Sequence, residues 1–112
     1  MTWIQLVNDE QLIEIKNNSS YSIIFKHSTR CSISTMAKKK FELDWDVLPK
    51  DIIFYFLDLI TYRLTSNNIA EEYDIQHQSP QLLLIKAGEC ILEQSHGDIS
   101  VDEINEILSQ LK

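Results

Sequence analysis

Apolar residues follow two periods along the chain, and these predict an alternation of helices and strands. Near-continuous apolar runs at about 22–26 and 52–58 predict buried strands, and the runs at 81–86 and 90–94 predict two more. Apolar positions at helical spacing predict four helices. The apolar residues of each helix, in chain order, are Leu12, Ile13 and Ile15; Ile33, Met36, Ala37, Phe41 and Leu43; Ile69, Ala70 and Tyr73; and Ile104, Ile107, Leu108 and Leu111. The predicted order is α-β-α-β-α-β-β-α, with Trp3, Ile4 and Leu6 at the edge of the core.

Polar residues and a glycine mark the ends of these elements. Asn8 or Asp9 can cap the first helix, Ser66 and the two asparagines after it can cap the third, and a Ser-Val-Asp-Glu box can cap the fourth. Gly88 can supply the positive φ of a hairpin turn between the last two strands. A βαβ start followed by a hairpin is the thioredoxin order. We therefore predict one thioredoxin-like α/β domain over residues 1–112, with a four-stranded mixed sheet and helices on both faces.

Composition narrows the class of protein. The chain has 112 residues, 44% of them hydrophobic and 24% charged, as expected for one globular domain. No apolar run approaches the roughly 18 residues of a membrane span, and the first residues lack the basic segment of a signal peptide. A net charge of −7 argues against nucleic acid as a partner. We expect a cytoplasmic protein with neither a membrane nor a nucleic-acid partner.

The charges are unevenly distributed. Residues 15–41 contain six lysines and arginines, among them Lys16, Lys26, Arg30 and the run 38–40, and no acid. The run of lysines can be the solvated end of a helix, where cations suit the dipole. The whole window can also create a positive field that attracts an anionic thiol substrate.

One cysteine lies inside this basic window, at the junction of a predicted strand and a predicted helix. The free N–H groups and the positive end of the helix dipole at such a junction favour a thiolate, and the adjacent Arg30 acts in the same direction. We therefore predict Cys31 as the nucleophile, in a thiolate environment formed by Thr29, Arg30, Ser32 and Ser34.

The residues around Cys31 limit the mechanism. Neither Cys31 nor Cys90 belongs to a CxxC pair, and we expect no metal site from these two cysteines and the three histidines. Ser34 stands three residues after Cys31 and cannot form a disulfide; its hydroxyl can bond the thiolate or a backbone group of the first helical turn. Cys90 can act as a resolving cysteine, although its place in a strand favours a packed, inert thiol.

Two further segments are predicted to contact the substrate. Ser79-Pro80 precedes an apolar strand, and we predict a cis bond there, because in thioredoxin-like folds this loop faces the active cysteine and holds the backbone of the substrate. His27 can orient the thiol or the substrate, or it can be a strand-end residue bonded to its surroundings. The predicted substrate-binding residues are His27, Ser79 and Pro80.

Motifs spread over nearly the whole chain resemble those of the YtxJ-like proteins, the monothiol bacilliredoxins of thioredoxin fold. The matching segments are Phe25-Lys26-His27-Ser28-Thr29-Arg30-Cys31, Ile33-Ser34, Leu57-Asp58-Leu59, Tyr62-Arg63, Ser66-Asn67, Ile69-Ala70, His77, Ser79-Pro80-Gln81, Gly88 and Ser95-His96. The chain departs from the family pattern at Ser32, where proline is usual, and at Cys90, which lies outside the pattern.

The resemblance implies a thiol-disulfide oxidoreductase that removes bacillithiol from mixed disulfides on proteins. It implies bacillithiolated client proteins as partners, bacillithiol or a similar low-molecular-weight thiol as co-substrate, and no bound cofactor. Two alternatives stay open. Cys31 can help to bind an iron–sulfur cluster with an external thiol across a dimer, or the chain can be a redox-inert interaction module in which Cys31 is neither exposed nor acidic.

Overall fold

A computed structural model of the protein describes residues 2–28 and 32–111. The elements in these residues are, in chain order, β1 (Trp3–Gln5), α1 (Asp9–Asn17), β2 (Tyr21–His27), α2 (Ser32–Asp44), a 3₁₀ helix (Trp45–Val47), β3 (Ile53–Asp58), α3 (Arg63–Glu72), β4 (Gln81–Lys86), β5 (Glu89–Ser95), a second 3₁₀ helix (His96–Asp98) and α4 (Val101–Gln110). Within the same residues, no helix is both long and apolar enough to cross a membrane.

The strands form one mixed sheet in the order β1-β3-β2-β4-β5. Strands β1 and β2 are both parallel to β3, while β4 is antiparallel to β2 and β5 is antiparallel to β4. The thioredoxin-like α/β prediction is confirmed, with five strands in place of the expected four. The additional strand is β1, whose three residues are too few to show a period in the sequence.

Trp3 explains why the short β1 joins the sheet. Its ring contacts Phe25, Phe41 and Trp45 at centroid distances of 5.0–5.8 Å. Its Nε1 donates a hydrogen bond of 2.7 Å to the Glu42 carboxylate on α2. A large aromatic residue anchored in this way brings the first strand to the side of the sheet. From the sequence we had expected these residues only to lie at the edge of the core.

Successive residues of β2 point to opposite faces of the sheet, and each face has its own core. Ile23 and Phe25 pack with residues of α2 and α4 on one face. Ile24 packs with Ile15 of α1 and Ile69 of α3 on the other. Because β2 lies at the centre of the sheet, its apolar run is covered on both sides, and helices cover both faces as predicted.

Helices α2 and α3 differ most clearly from their predicted form. Helix α3 begins at Arg63, not near Ser66, because the Asp58 carboxylate accepts hydrogen bonds from the N–H groups of Ile60 and Thr61 and forms the turn that leads into the helix. Helix α2 faces the core with Ser34 and Phe41, so the predicted inward residues Ile33, Met36 and Leu43 are exposed. Of the apolar residues predicted for this helix, only Ala37 and Phe41 pack against the core.

The topology places the termini of four strands at one edge of the sheet, meaning here the edge where strands begin or end and not an outer strand. Strands β2 and β3 are parallel and end there, β4 starts there, and β5 ends there, with Lys26 opposite both Leu57 and Gln81, and Gln81 opposite Ser95. The hairpin turn at Ala87 and Gly88 lies at the opposite edge. The residues that follow β2 and precede β4 therefore meet at a single end of the molecule.

Candidate functional site

The predicted nucleophile lies in the connection between β2 and α2. Cys31, Thr29 and Arg30 lie outside the described residues, so their roles stay predictions. Described residues flank them on both sides: Ser28 follows the last residue of β2, and Ser32 is the exposed first residue of α2. The site is therefore defined by what holds these two flanks together.

Ser34 ties the start of α2 to the end of β2. Its side chain is fully buried, and its Oγ accepts a hydrogen bond of 3.1 Å from the Ser28 N–H. The same oxygen lies 2.8 Å from Nδ1 of His27. Of the two roles considered for this serine, the described contacts match the bonding of a backbone group, while a bond to the thiolate stays a prediction.

His27 is a buried, uncharged partner in this network. Burial and the Lys38 ammonium lower the pKa of His27, while the Asp58 carboxylate and the bond to Ser34 act in the opposite direction. Its ring also packs on Phe56 at a centroid distance of 5.2 Å. With 6% of the residue exposed, these contacts favour the interpretation of His27 as a strand-end residue bonded to its surroundings.

The second predicted segment precedes β4 at the same edge of the sheet. The Ser79–Pro80 peptide bond is cis, as predicted, and Pro80 is buried. The carbonyl of Pro80 accepts a hydrogen bond of 3.0 Å from the His96 N–H, which joins this loop to the turn after β5. Ser79 and Pro80 thus lie at the edge where β2 ends.

The side chain of Gln81 fixes the shape of the loop before Pro80. Its Nε2 donates to the carbonyl of Gln76 at 2.9 Å and to the carboxylate of Glu93 at 2.8 Å. Its Oε1 accepts from the Gln78 N–H at 3.4 Å. One buried amide therefore satisfies two backbone groups of the loop and links them to β5.

A buried lysine beside this loop is the main feature that sequence reasoning missed. Lys26 is fully buried, and its Nζ donates to the carbonyl of Ser66 at 3.1 Å and lies 3.3 Å from Nδ1 of His77. Burial lowers the pKa of Lys26 to about 8. The available signal was a lysine at the end of the apolar run Tyr21-Ser22-Ile23-Ile24-Phe25.

This burial alters the expected positive field around the thiol. Lys26 does not reach the surface, and Lys38 forms an ion pair of 3.0 Å with Glu42. Two exposed apolar side chains, Ile33 and Met36, border a groove of about 300 Å³ with His96. The described surface beside the start of α2 is therefore more apolar than the charge pattern indicated.

Cys90 lies away from the site, at the hairpin end of β5. It is half-buried, and its Sγ donates to the carbonyl of Leu92 at 3.4 Å. Burial raises the pKa of the Cys90 thiol and outweighs the hydrogen bond to Leu92, which lowers it; the Glu93 carboxylate adds a smaller increase. These contacts agree with a packed thiol of low reactivity.

Comparisons with known proteins identify the fold and the family of the chain. The family model described as monothiol bacilliredoxin BrxC matches residues 4–104. A solved structure described as a candidate oxidoreductase with a thioredoxin fold is 29% identical, with a TM-score of 0.81 over 92% of this chain and 90% of that one. Thioredoxin of Malassezia sympodialis shares the fold at 15% identity, with a TM-score of 0.76 over 97% of this chain and 90% of that one. Thioredoxin f2 of Chlamydomonas reinhardtii shares it at 10% identity, with a TM-score of 0.73 over 99% of this chain and 97% of that one. With its thioredoxin fold and a function in thiol–disulfide redox chemistry, the chain belongs to the monothiol bacilliredoxin BrxC family.

Proposed function

We propose that this protein removes bacillithiol from mixed disulfides on client proteins, with Cys31 as the single reacting thiol. The observation that carries the proposal is that Ser34 is buried and hydrogen-bonded within the protein. Dithiol thioredoxins have a resolving cysteine three residues after the nucleophile, whereas here a fully buried serine is bonded to Ser28 and His27. A cycle that uses one protein thiol fits this arrangement.

The proposed reaction has two exchange steps. In the first, the Cys31 thiolate attacks the bacillithiol sulfur of the mixed disulfide. The bond between that sulfur and the client sulfur breaks, the client leaves as a thiolate and takes up a proton, and Cys31 becomes bacillithiolated. In the second step, a thiolate of bacillithiol or of a similar small thiol attacks the same bacillithiol sulfur. Cys31 is released, and the small-molecule disulfide carries away the oxidation.

The start of α2 supplies the reactivity that the first step needs. Model cysteine has a pKa of about 8.5 and is only a few per cent thiolate at neutral pH, while helix N-termini lower this value, to about 7 in thioredoxin. Each unit corresponds to about 1.4 kcal/mol between the two protonation states. Helix α2 begins at Ser32. We assign its first N–H groups, together with Thr29 and Arg30, to the stabilisation of the thiolate.

The client is held, in this proposal, by the loop at Ser79 and Pro80, which lies at the sheet edge where β2 ends. Bacillithiol carries a malate, and its carboxylates suit Arg30 and the N-terminus of α2. We place the reaction in the cytoplasm, where small thiols keep protein cysteines reduced.

The test compares wild type with Cys31→Ser in the release of bacillithiol from one mixed-disulfide protein. Loss of the nucleophile is expected to lower the rate by a factor on the order of 100 or more. Cys90→Ser is the matched control, because it removes a thiol of the same chain away from the site, and it should keep the wild-type rate. A Cys31→Ser protein that releases bacillithiol at the wild-type rate would exclude the proposed mechanism.

Two measurements address the alternative functions. A visible absorption band after anaerobic reconstitution with iron and sulfide would instead assign Cys31 to an iron–sulfur cluster. An alkylation profile with the pKa of an ordinary cysteine, together with no exchange, would indicate a redox-inert module. The proposal requires a colourless protein and a depressed pKa of Cys31.

A further inference from the structure

Lys26 is a fully buried cation that no carboxylate neutralises within residues 2–28 and 32–111. Its neighbours across the sheet, Leu57 of β3 and Gln81 of β4, carry no charge. Among the described residues, His77 from the loop contacts the Lys26 ammonium, and Arg63 of α3 acts electrostatically on His77; both are basic. The protein therefore buries an ammonium group among basic neighbours.

The contacts of Lys26 join three separate segments of the chain. The lysine belongs to β2, and its Nζ donates to the carbonyl of Ser66 in α3 at 3.1 Å and to Nδ1 of His77 at 3.3 Å. His77 also lies 3.5 Å from the hydroxyl of Ser66. Since His77 is three residues before Pro80, this cluster anchors the loop on the side of α3.

The protonation state of His77 suits an acceptor role. Burial, Lys26 and Arg63 all lower the pKa of His77, so the imidazole is neutral at pH 7. A neutral ring with its proton on Nε2 has a lone pair on Nδ1, which can accept from the ammonium. The contact is thus a charge-assisted hydrogen bond, one of the stronger kinds in proteins.

Stability does not explain a lysine at this position. A buried charge without a counter-ion is costly, and apolar side chains of similar volume often replace buried charges with no loss or with a gain in stability. A lysine that is costly to bury, and whose ammonium contacts His77 of the loop before Pro80, points to a role in the reaction. Gln81 bonds Gln76 and Gln78 of the same loop, so the two side chains hold it at different residues.

We propose that Lys26 and His77 are positioning residues for the exchange reaction: the Lys26 ammonium holds His77, and with it the loop that ends at Ser79 and Pro80, against α3. This inference rests on the proposed function, in which that loop holds the client. The two residues act through the loop, so they set the binding of the mixed-disulfide protein and leave the reactivity of Cys31 toward a small reagent unchanged.

Three variants test this inference in the full chain. Lys26→Met removes the ammonium and keeps an apolar side chain of similar length. His77→Leu removes the acceptor, while the matched His77→Asn keeps an oxygen on Cγ, where the imidazole has Nδ1. Lys26→Met and His77→Leu should lower kcat/KM for a bacillithiolated protein by about tenfold, mainly through KM, and His77→Asn should stay within about twofold of wild type.

Two further measurements separate this role from a structural one. The rate of Cys31 alkylation by iodoacetamide, followed against pH, should be the same in all variants, and Lys26→Met should unfold at the wild-type temperature or above it. Wild-type kcat/KM in both Lys26→Met and His77→Leu would overturn the inference. A shifted alkylation profile would also overturn it, because the lysine would then act on the thiol and not on the loop. Wild-type protein that releases no bacillithiol would overturn the proposed function, and this inference with it.

Discussion

The hydroxyl of Ser34 is buried, and the described contacts give it hydrogen-bond partners. Its oxygen accepts from the Ser28 N–H, and it shares a hydrogen bond with Nδ1 of His27. These bonds cross the connection that contains Cys31, from the first turn of α2 to the end of β2. A side chain engaged in this way fixes the two ends of the connection, which is a role that a reactive second cysteine would not fill.

The histidines of the site make stability depend on pH. His27 and His77 both have lowered pKa values in the folded protein, mainly through burial. The unfolded chain therefore binds more protons than the folded one once the pH falls through the ordinary pKa of histidine, about 6.5. We expect the free energy of unfolding to decrease as the pH falls from 7 toward the lowered pKa values that the two histidines have in the folded protein. Urea denaturation between pH 5 and pH 7.5 measures this decrease.

Single substitutions identify the groups responsible for that decrease. His27→Gln and His77→Asn should each make the loss of stability at low pH smaller, because each removes one group that must be buried without its proton. His96→Asn serves as the control, since His96 is exposed. A pH dependence that is unchanged in both His27→Gln and His77→Asn would contradict this assignment.

The β4–β5 hairpin shows how local backbone geometry limits the choice of residue. Its turn places Ala87 at φ 52° and Gly88 at φ 81°. A Cβ at Gly88 would lie 3.2 Å from the carbonyl oxygen of Lys16 and 3.3 Å from its Cγ. Positive φ at two successive residues is the geometry for which Asn-Gly is the preferred sequence.

Substitutions in this turn should change stability in opposite directions. Ala87→Asn is expected to raise the free energy of unfolding by about 0.5–1 kcal/mol, because asparagine tolerates the left-handed region better than alanine. Gly88→Ala should lower it by at least about 1 kcal/mol through backbone strain and the contact with Lys16. Urea denaturation measures both. A stabilised Gly88→Ala protein would show that the turn can change its geometry without loss.

The strands were predicted more accurately than the helix surfaces. The apolar runs predicted β2 to β5 to within two residues, because buried strands require a nearly continuous run. Helix α3 starts three residues before the predicted cap at Ser66, since the turn at Asp58 sets its beginning. Periodicity alone did not show that α2 turns Ser34 to the core and leaves Ile33 in solvent.

The same limits apply to the site. The importance of Ser34 and the cis bond at Pro80 could be predicted from their positions in the expected fold. The contacts of Lys26 could not, because they join residues 40 and 51 positions apart in the chain. A charge count treats every lysine as a surface group, and only the packing of α3 and the loop on β2 shows that this one is buried.

The arrangement of the whole sheet places Cys90 far from the end of β2. We place the proposed exchange site where β2 ends and β4 begins, at the level where Gln81 is paired with Ser95. Cys90 is paired with Ile85, close to the hairpin turn. Five residues of extended strand, from Ser95 back to Cys90, span about 16 Å. Since a disulfide needs Cα atoms within about 7 Å of each other, the fold opposes a bond between Cys90 and a thiol held at the other end of the sheet.

Oxidation of the protein should therefore produce a mixed disulfide and no internal one. After treatment with bacillithiol disulfide, mass spectrometry of wild type is expected to show one bacillithiol adduct, located on Cys31 by peptide mapping. Cys90→Ser should form the same adduct to the same extent, because the half-buried Cys90 thiol has a raised pKa and bonds to Leu92. A peptide that links Cys31 to Cys90 would show that the sheet end opens during the cycle, and the reaction would then use two protein thiols.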